Sequence, residues 1–134
     1  MTEIKFFMPM NPPTVTQQQH RITVQKGETV FYDPPGLAEA KAKLAAHLAK
    51  HIPEQPFTDA VQLVVKWCFP VCGKHSDGEY KTTKPDTDNL QKALKDMMTK
   101  LHFWKDDALV ASEVVEKFWA DIPGIWIGIR EIGQ

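Results

Sequence analysis

The sequence predicts an α+β fold, a mixed β-sheet with β-hairpins and two α-helices packed on it. Three observations carry this. Apolar residues recur at spacings of three and four over 37–52 and again over 89–101, β-branched and aromatic runs alternate elsewhere, and the elements follow the order strand, hairpin, helix, strand, helix, hairpin without any repeat. The length of 134 residues, with 43% hydrophobic and 25% charged, fits one domain spanning 1–134 and lies outside disordered compositions.

Ile4, Phe6 and Met8 alternate with Lys5 and Phe7 as a first strand, which Pro9, Pro12 and Pro13 stop. Thr14 to His20 is polar and aperiodic, as in a mobile arm. Arg21–Val24 and Thr29–Tyr32 read as a hairpin with Gly27 in its turn, closed by Asp33-Pro34-Pro35. Leu37, Ala40, Leu44, Leu48 and Ile52 mark an amphipathic helix ended by Pro53.

Ala60 to Phe69 is nearly continuous in apolar residues, which predicts a strand buried on both faces in the middle of the sheet, ended by Pro70. Val71 to Lys84 is long enough for a functional loop, and its lysines are suited to a polyanion. From Asn89 to Leu101 the residues Leu90, Ala93, Leu94, Met97, Met98 and Leu101 form the clearest helical stripe in the chain. Ala108–Ala120 and Ile125–Ile132, separated by Asp121-Ile122-Pro123-Gly124, read as a C-terminal hairpin.

The longest apolar stretch, Val61–Val65 with Trp67, Cys68 and Phe69 beyond Lys66, is far below the ~20 residues that span a bilayer. No basic region followed by a long apolar run opens the chain, so a cytoplasmic location is expected. Cys68 and Cys72 with His75 are half of a zinc pattern, but Cys68 lies in an apolar run where a free thiol acts as a small hydrophobe. Net charge is −1, which leaves no global nucleic-acid footprint. Between Lys74 and Lys105, however, seven lysines and two histidines face five acids, and a cation on two of those acids would leave a basic surface.

Those two acids are Asp86 and Asp88 in Lys84-Pro85-Asp86-Thr87-Asp88-Asn89-Leu90-Gln91-Lys92. If 86–88 is extended, both carboxylates project to one side, and Asp106-Asp107 supplies a third oxygen donor for a site of the kind Mg²⁺ or Mn²⁺ uses. The structural alternative is that Asp88 and Gln91 form a capping box, Asp86 is turn chemistry and Asp106-Asp107 is a solvated turn. Lys92 sits in the first turns of the helix, where the helix dipole disfavours a cation, or else it simply pairs with Asp96.

The run KPDTDNLQKALKDMM followed by LHFWKDDALV resembles the signature of RusA-type Holliday junction resolvases. In order, it holds P-D-x-D-N, a lysine four residues after the second aspartate, and W-x-D-D about one helix later; NPPTVTQQQHR and the chain length also match. The resemblance implies that Asp86, Asp88 and Asp107 bind the metal and that Lys92 is the catalytic lysine, with Asp107 favoured over Asp106 as the third ligand. It also implies a Mg²⁺-dependent homodimer that nicks branched DNA symmetrically, leaving 5′-phosphate and 3′-hydroxyl ends. The hairpin Arg21–Tyr32 and the C-terminal strands are both candidates for the dimer interface. Lys74, Lys81, Lys84, Lys95, Lys100 and Lys105 are candidate phosphate contacts. Two other readings stay open at this level: a junction-binding module without chemistry, and a metal-dependent nucleotidyl or glycosyl transferase using the D-x-D.

Overall fold

A computed structural model describes residues 2–15, 21–25, 28–32 and 35–133, with main chain only over 21–35. In chain order it contains β1 (Glu3–Pro9), β2 (Arg21–Gln25), β3 (Glu28–Tyr32), α1 (Pro35–Leu48), β4 (Val61–Pro70), α2 (Thr87–Lys100), β5 (Val110–Ala120) and β6 (Gly124–Glu131). Short 3-10 turns occupy Ala49–His51 and Asp107–Leu109. β2 and β3 pair antiparallel from Arg21 opposite Tyr32 to Gln25 opposite Glu28, as expected. The expected turn at Gly27, most of the polar arm and the Asp33-Pro34 closure lie outside the described residues.

The main sheet is mixed, in the order β1-β6-β4-β5, with β4 parallel to β5 and antiparallel to β6. The C-terminal hairpin therefore does not form. β5 and β6 flank β4 on opposite sides, and Asp121–Pro123 steps across the end of β4, where Cys68 faces both Phe118 and Gly124. A β5–β6 hairpin would leave the most apolar strand at an edge with one row of its amides and carbonyls unpaired; inserting β4 between them pairs both rows.

The core lies between one face of this sheet and the two helices. Val61, Leu63, Val65, Trp67 and Phe69 of β4 meet Ile125, Ile127 and Ile129 of β6, Leu44 and Leu48 of α1, and Leu90, Leu94 and Met98 of α2. On the other face of β4, Gln62, Val64 and Cys68 are half-buried and Lys66 is exposed. Burial on both faces is thus not observed, because both helices cover the same side.

α1 is shorter than its apolar spacing predicts. Pro53 forces Ile52 into extended backbone (φ −60°, ψ 125°), so the helix gives way to a 3-10 turn and Ile52 is 42% exposed. α2 is longer than expected at its start, beginning at Thr87 with Asp86 as N-cap. It ends where His102 takes a left-handed φ of 65°. Among the described residues no helix is long and apolar enough to cross a membrane.

Candidate metal and nucleic-acid site

One edge of β5 pairs with β4, and the chain before α2 lies along the other. Gly78 N donates to Trp119 O (2.8 Å), Trp119 N to Glu79 O (2.8 Å) and Lys81 N to Lys117 O (2.9 Å), with Tyr80 bridging to Phe118. The second half of the predicted loop is therefore tied to the sheet, and it delivers Asp86 to the head of α2.

Asp86 has extended backbone (φ −76°, ψ 149°), and its carbonyl accepts from Leu90 N at 3.1 Å, so it is the N-cap by main chain. Its carboxylate nevertheless makes no capping bond. Asp88 is already helical, which replaces the expected extended pair by two acids on the last residue before the helix and in its first turn. The capping box is excluded as well, because Gln91 is buried and used elsewhere. Its Oε1 accepts from Trp67 Nε1 (2.7 Å) and its Nε2 donates to Glu113 (2.6 Å). Both Asp86 and Asp88 are exposed, and neither carboxylate has a hydrogen bond or ion pair among the described residues. The amides at a helix head and the helix dipole favour negative charge there.

The structure separates the ambiguous neighbours Asp106 and Asp107. Asp106 caps the 3-10 turn, its side chain accepting from Ala108 N at 2.9 Å, whereas Asp107 is exposed and without a side-chain partner among the described residues. Among the described residues no three Asp, Glu, His or Cys side chains form a group that could hold a metal. Asp88 borders a groove with Thr87, Gln91, Lys95, Glu113 and Val115, beside the middle of β5, whereas Asp107 precedes that strand. The free pair by itself fits Mg²⁺, which keeps several waters and is commonly held by one or two carboxylates plus substrate phosphates.

Lys92 projects from the exposed side of α2, its side chain 63% accessible and its ammonium 3.8 Å from Asp96, the pairing its spacing allows. Lys74, Lys84, Lys100 and Lys105 are exposed without side-chain partners among the described residues. Lys95 is bound to Glu113 at 3.1 Å. Lys81 departs from the expected solvent-facing role: it is buried, its ammonium 4.2 Å from the Trp119 ring centroid and 2.6 Å from Thr83 Oγ1. Burial, and then the nearby Lys117 charge, hold its pKa below the usual lysine range. His75 stacks on Trp119 and meets Glu79 at 2.6 Å, while Cys68 and Cys72 are free thiols.

The sequence reading assigns nothing to Lys117 or Glu113, and to Gln91 only a capping part. The signal for two of them was parity: Glu113 and Lys117 alternate in step with Val115 and Trp119 and therefore point to the helix side of the sheet.

Comparison with known proteins places the chain in a family. The family described as Endodeoxyribonuclease RusA matches residues 9–130. The chain is similar to the crossover junction endodeoxyribonuclease rusA of Lactococcus phage r1t, with 34% identity covering 97% of this chain and 99% of the phage protein. It is also similar to the uncharacterized protein YqaN of Bacillus subtilis (strain 168), with 31% identity over 96% of both chains. Matched nearly end to end by both the family and the phage protein, the chain belongs to the RusA family of endodeoxyribonucleases.

Proposed function

We propose that this protein resolves four-way DNA junctions by paired symmetric nicks, as a Mg²⁺-dependent homodimer whose metal is held by Asp86, Asp88 and Asp107 with Lys92 beside it. The observation that carries the reading is that Asp86 and Asp88 are relieved of structural duty. An N-cap aspartate that makes no cap bond forgoes a contact worth roughly 0.5–2 kcal/mol, and such departures from local preference concentrate at functional sites.

The bound ion would polarise the scissile phosphate and lower the pKa of an attacking water. The protein's own part is to place carboxylates at the head of a rigid helix whose dipole and packed stripe fix their orientation. Lys92 lies four residues after Asp88 and so shares its helix face. Its long, exposed side chain is free to exchange Asp96 for the phosphoryl oxygens as charge develops on them. Lys84 and Lys105 each stand two residues before one of these acids, Asp86 and Asp107, and would hold the flanking phosphates.

A four-way junction has approximate two-fold symmetry, and a two-fold dimer presents two equivalent sites to it. Of the two candidate interfaces, the C-terminal strands are favoured by the sheet face that no helix covers. Val114 is 40% and Phe7 37% exposed there, with half-buried Val64, Phe118 and Trp126 alongside. Phe7 lies over Gly124, where an added Cβ would run into its ring. The free thiols suit a cytoplasmic setting.

The test is incubation of labelled four-way junction and linear duplex with and without Mg²⁺. Paired nicks restricted to the junction, and dependent on the ion, are expected. Binding without cleavage would leave a junction-binding module instead.

A further inference from the structure

We propose that Lys117 is a positioning residue for Asp86, setting the place of that carboxylate by holding the main chain that precedes it. This deepens the proposed function and rests on it. The ammonium of Lys117 donates to Thr83 O at 2.7 Å and to Pro85 O at 2.8 Å, the carbonyls on either side of Lys84. Pro85 O belongs to the peptide unit that enters Asp86, so this contact holds the peptide group bonded directly to the residue it places.

Main-chain pairing does not hold that segment. The last main-chain bond to β5 is Lys81 N to Lys117 O (2.9 Å), and the next main-chain bond along the chain is Leu90 N to Asp86 O (3.1 Å). Between them, among the described residues, no main-chain to main-chain hydrogen bond is made by Thr82 to Pro85. Lys117 spans that gap from strand to helix head. Lys81 adds a second tether, its Nζ reaching Thr83 Oγ1 at 2.6 Å. Two ammonium groups therefore converge on Thr83. Lysines so close repel each other, an arrangement that hydrophobic packing would not select and that the two carbonyl dipoles offset.

With two of its three protons given to carbonyls, Lys117 has little left to offer a phosphate. Its effect on metal is then indirect. Groups that orient a liganding residue typically govern metal affinity by about 10–100-fold. Lys117→Met keeps the aliphatic stem and removes the donors.

The experiment titrates Mn²⁺ into protein without DNA, following free ion by electron paramagnetic resonance, and measures junction cleavage against metal concentration alongside circular dichroism and melting. For Lys117→Met we expect a native spectrum, a Mn²⁺ dissociation constant raised about 10–100-fold, and cleavage that recovers as metal is raised. Lys117→Arg, which retains donors, should keep most of the affinity. A folded Lys117→Met with wild-type Mn²⁺ affinity overturns the proposal. So does failure of both Lys117→Met and Lys117→Gln to fold, which would make the residue a determinant of folding alone. Wild-type protein that neither binds Mn²⁺ through Asp86 nor cleaves junctions refutes the functional reading itself, a result distinct from the Lys117 variants matching an active wild type.

Discussion

Asp86 allows stability and function to be separated at one position. In most helices an N-cap aspartate replaced by alanine loses roughly 0.5–2 kcal/mol with its side-chain bond. Here that bond is absent, so only the favourable interaction of the carboxylate with the helix dipole is lost, roughly 0.3–1 kcal/mol for an exposed group at low salt. Asp86→Ala should therefore lower the melting temperature by only about 1–4 °C, given the size of the chain. Asp86→Ser places a hydroxyl on a residue whose backbone is already extended for capping. The cap it can form, about 1 kcal/mol, offsets the lost dipole term, so its stability should be near that of the wild type. Both variants should cut four-way junctions about 100-fold more slowly or worse, because a carboxylate proposed to hold the metal is missing, while both still bind the junction. Urea denaturation, junction cleavage and gel-shift binding on the same preparations decide the matter. A loss of 2 kcal/mol or more in Asp86→Ala would show that the carboxylate caps the helix in solution, and cleavage within a few-fold of wild type would remove Asp86 from the site.

Lys92→Ala should leave the core untouched and slow cleavage at saturating junction by about 100-fold with the dissociation constant nearly unchanged; a binding defect with normal turnover would make it one more phosphate contact. Replacing Lys84 and Lys105 together by alanine should reduce the log–log salt slope of junction binding by about 1.8, at roughly 0.9 per lost contact, and an unchanged slope would place the DNA elsewhere. Val114→Glu, on the uncovered sheet face, should convert the proposed dimer to monomer in light scattering and turn the proposed paired nicks into single ones; an intact dimer would shift the interface toward the β2–β3 hairpin. Lys81 is depressed in the folded state, so the unfolded chain binds the extra proton between the two pKa values and stability should rise with pH in the range just below the ordinary lysine pKa. Lys81→Met should flatten that rise in denaturation series run at alkaline pH, and an identical slope in both proteins would refute the assignment.

What the sequence determined by itself was whatever depends on neighbours along the chain. The stripe Leu90, Ala93, Leu94, Met97, Met98 and Leu101 specified α2 because its period is local, and Pro53 and Pro70 ended their elements through the backbone they forbid. The order of acids and lysine from Asp86 to Asp107 was legible for the same reason. The placement of the two C-terminal strands was not, since a short turn between apolar runs signals a hairpin unless a third strand competes for the pairing, and β4 competes from 40 residues and more away. Nor could spacing alone decide between cap and free carboxylate. Asp88 and Gln91 have the spacing of a capping box, yet the Gln91 amide is drawn into the core by Trp67 and Glu113, partners distant in sequence. The parity of Lys117 says nothing of inside or outside by itself, because a strand's alternating faces acquire an inside only when helices cover one of them, and Lys81 is buried by Phe69 and Trp119, which are distant in sequence.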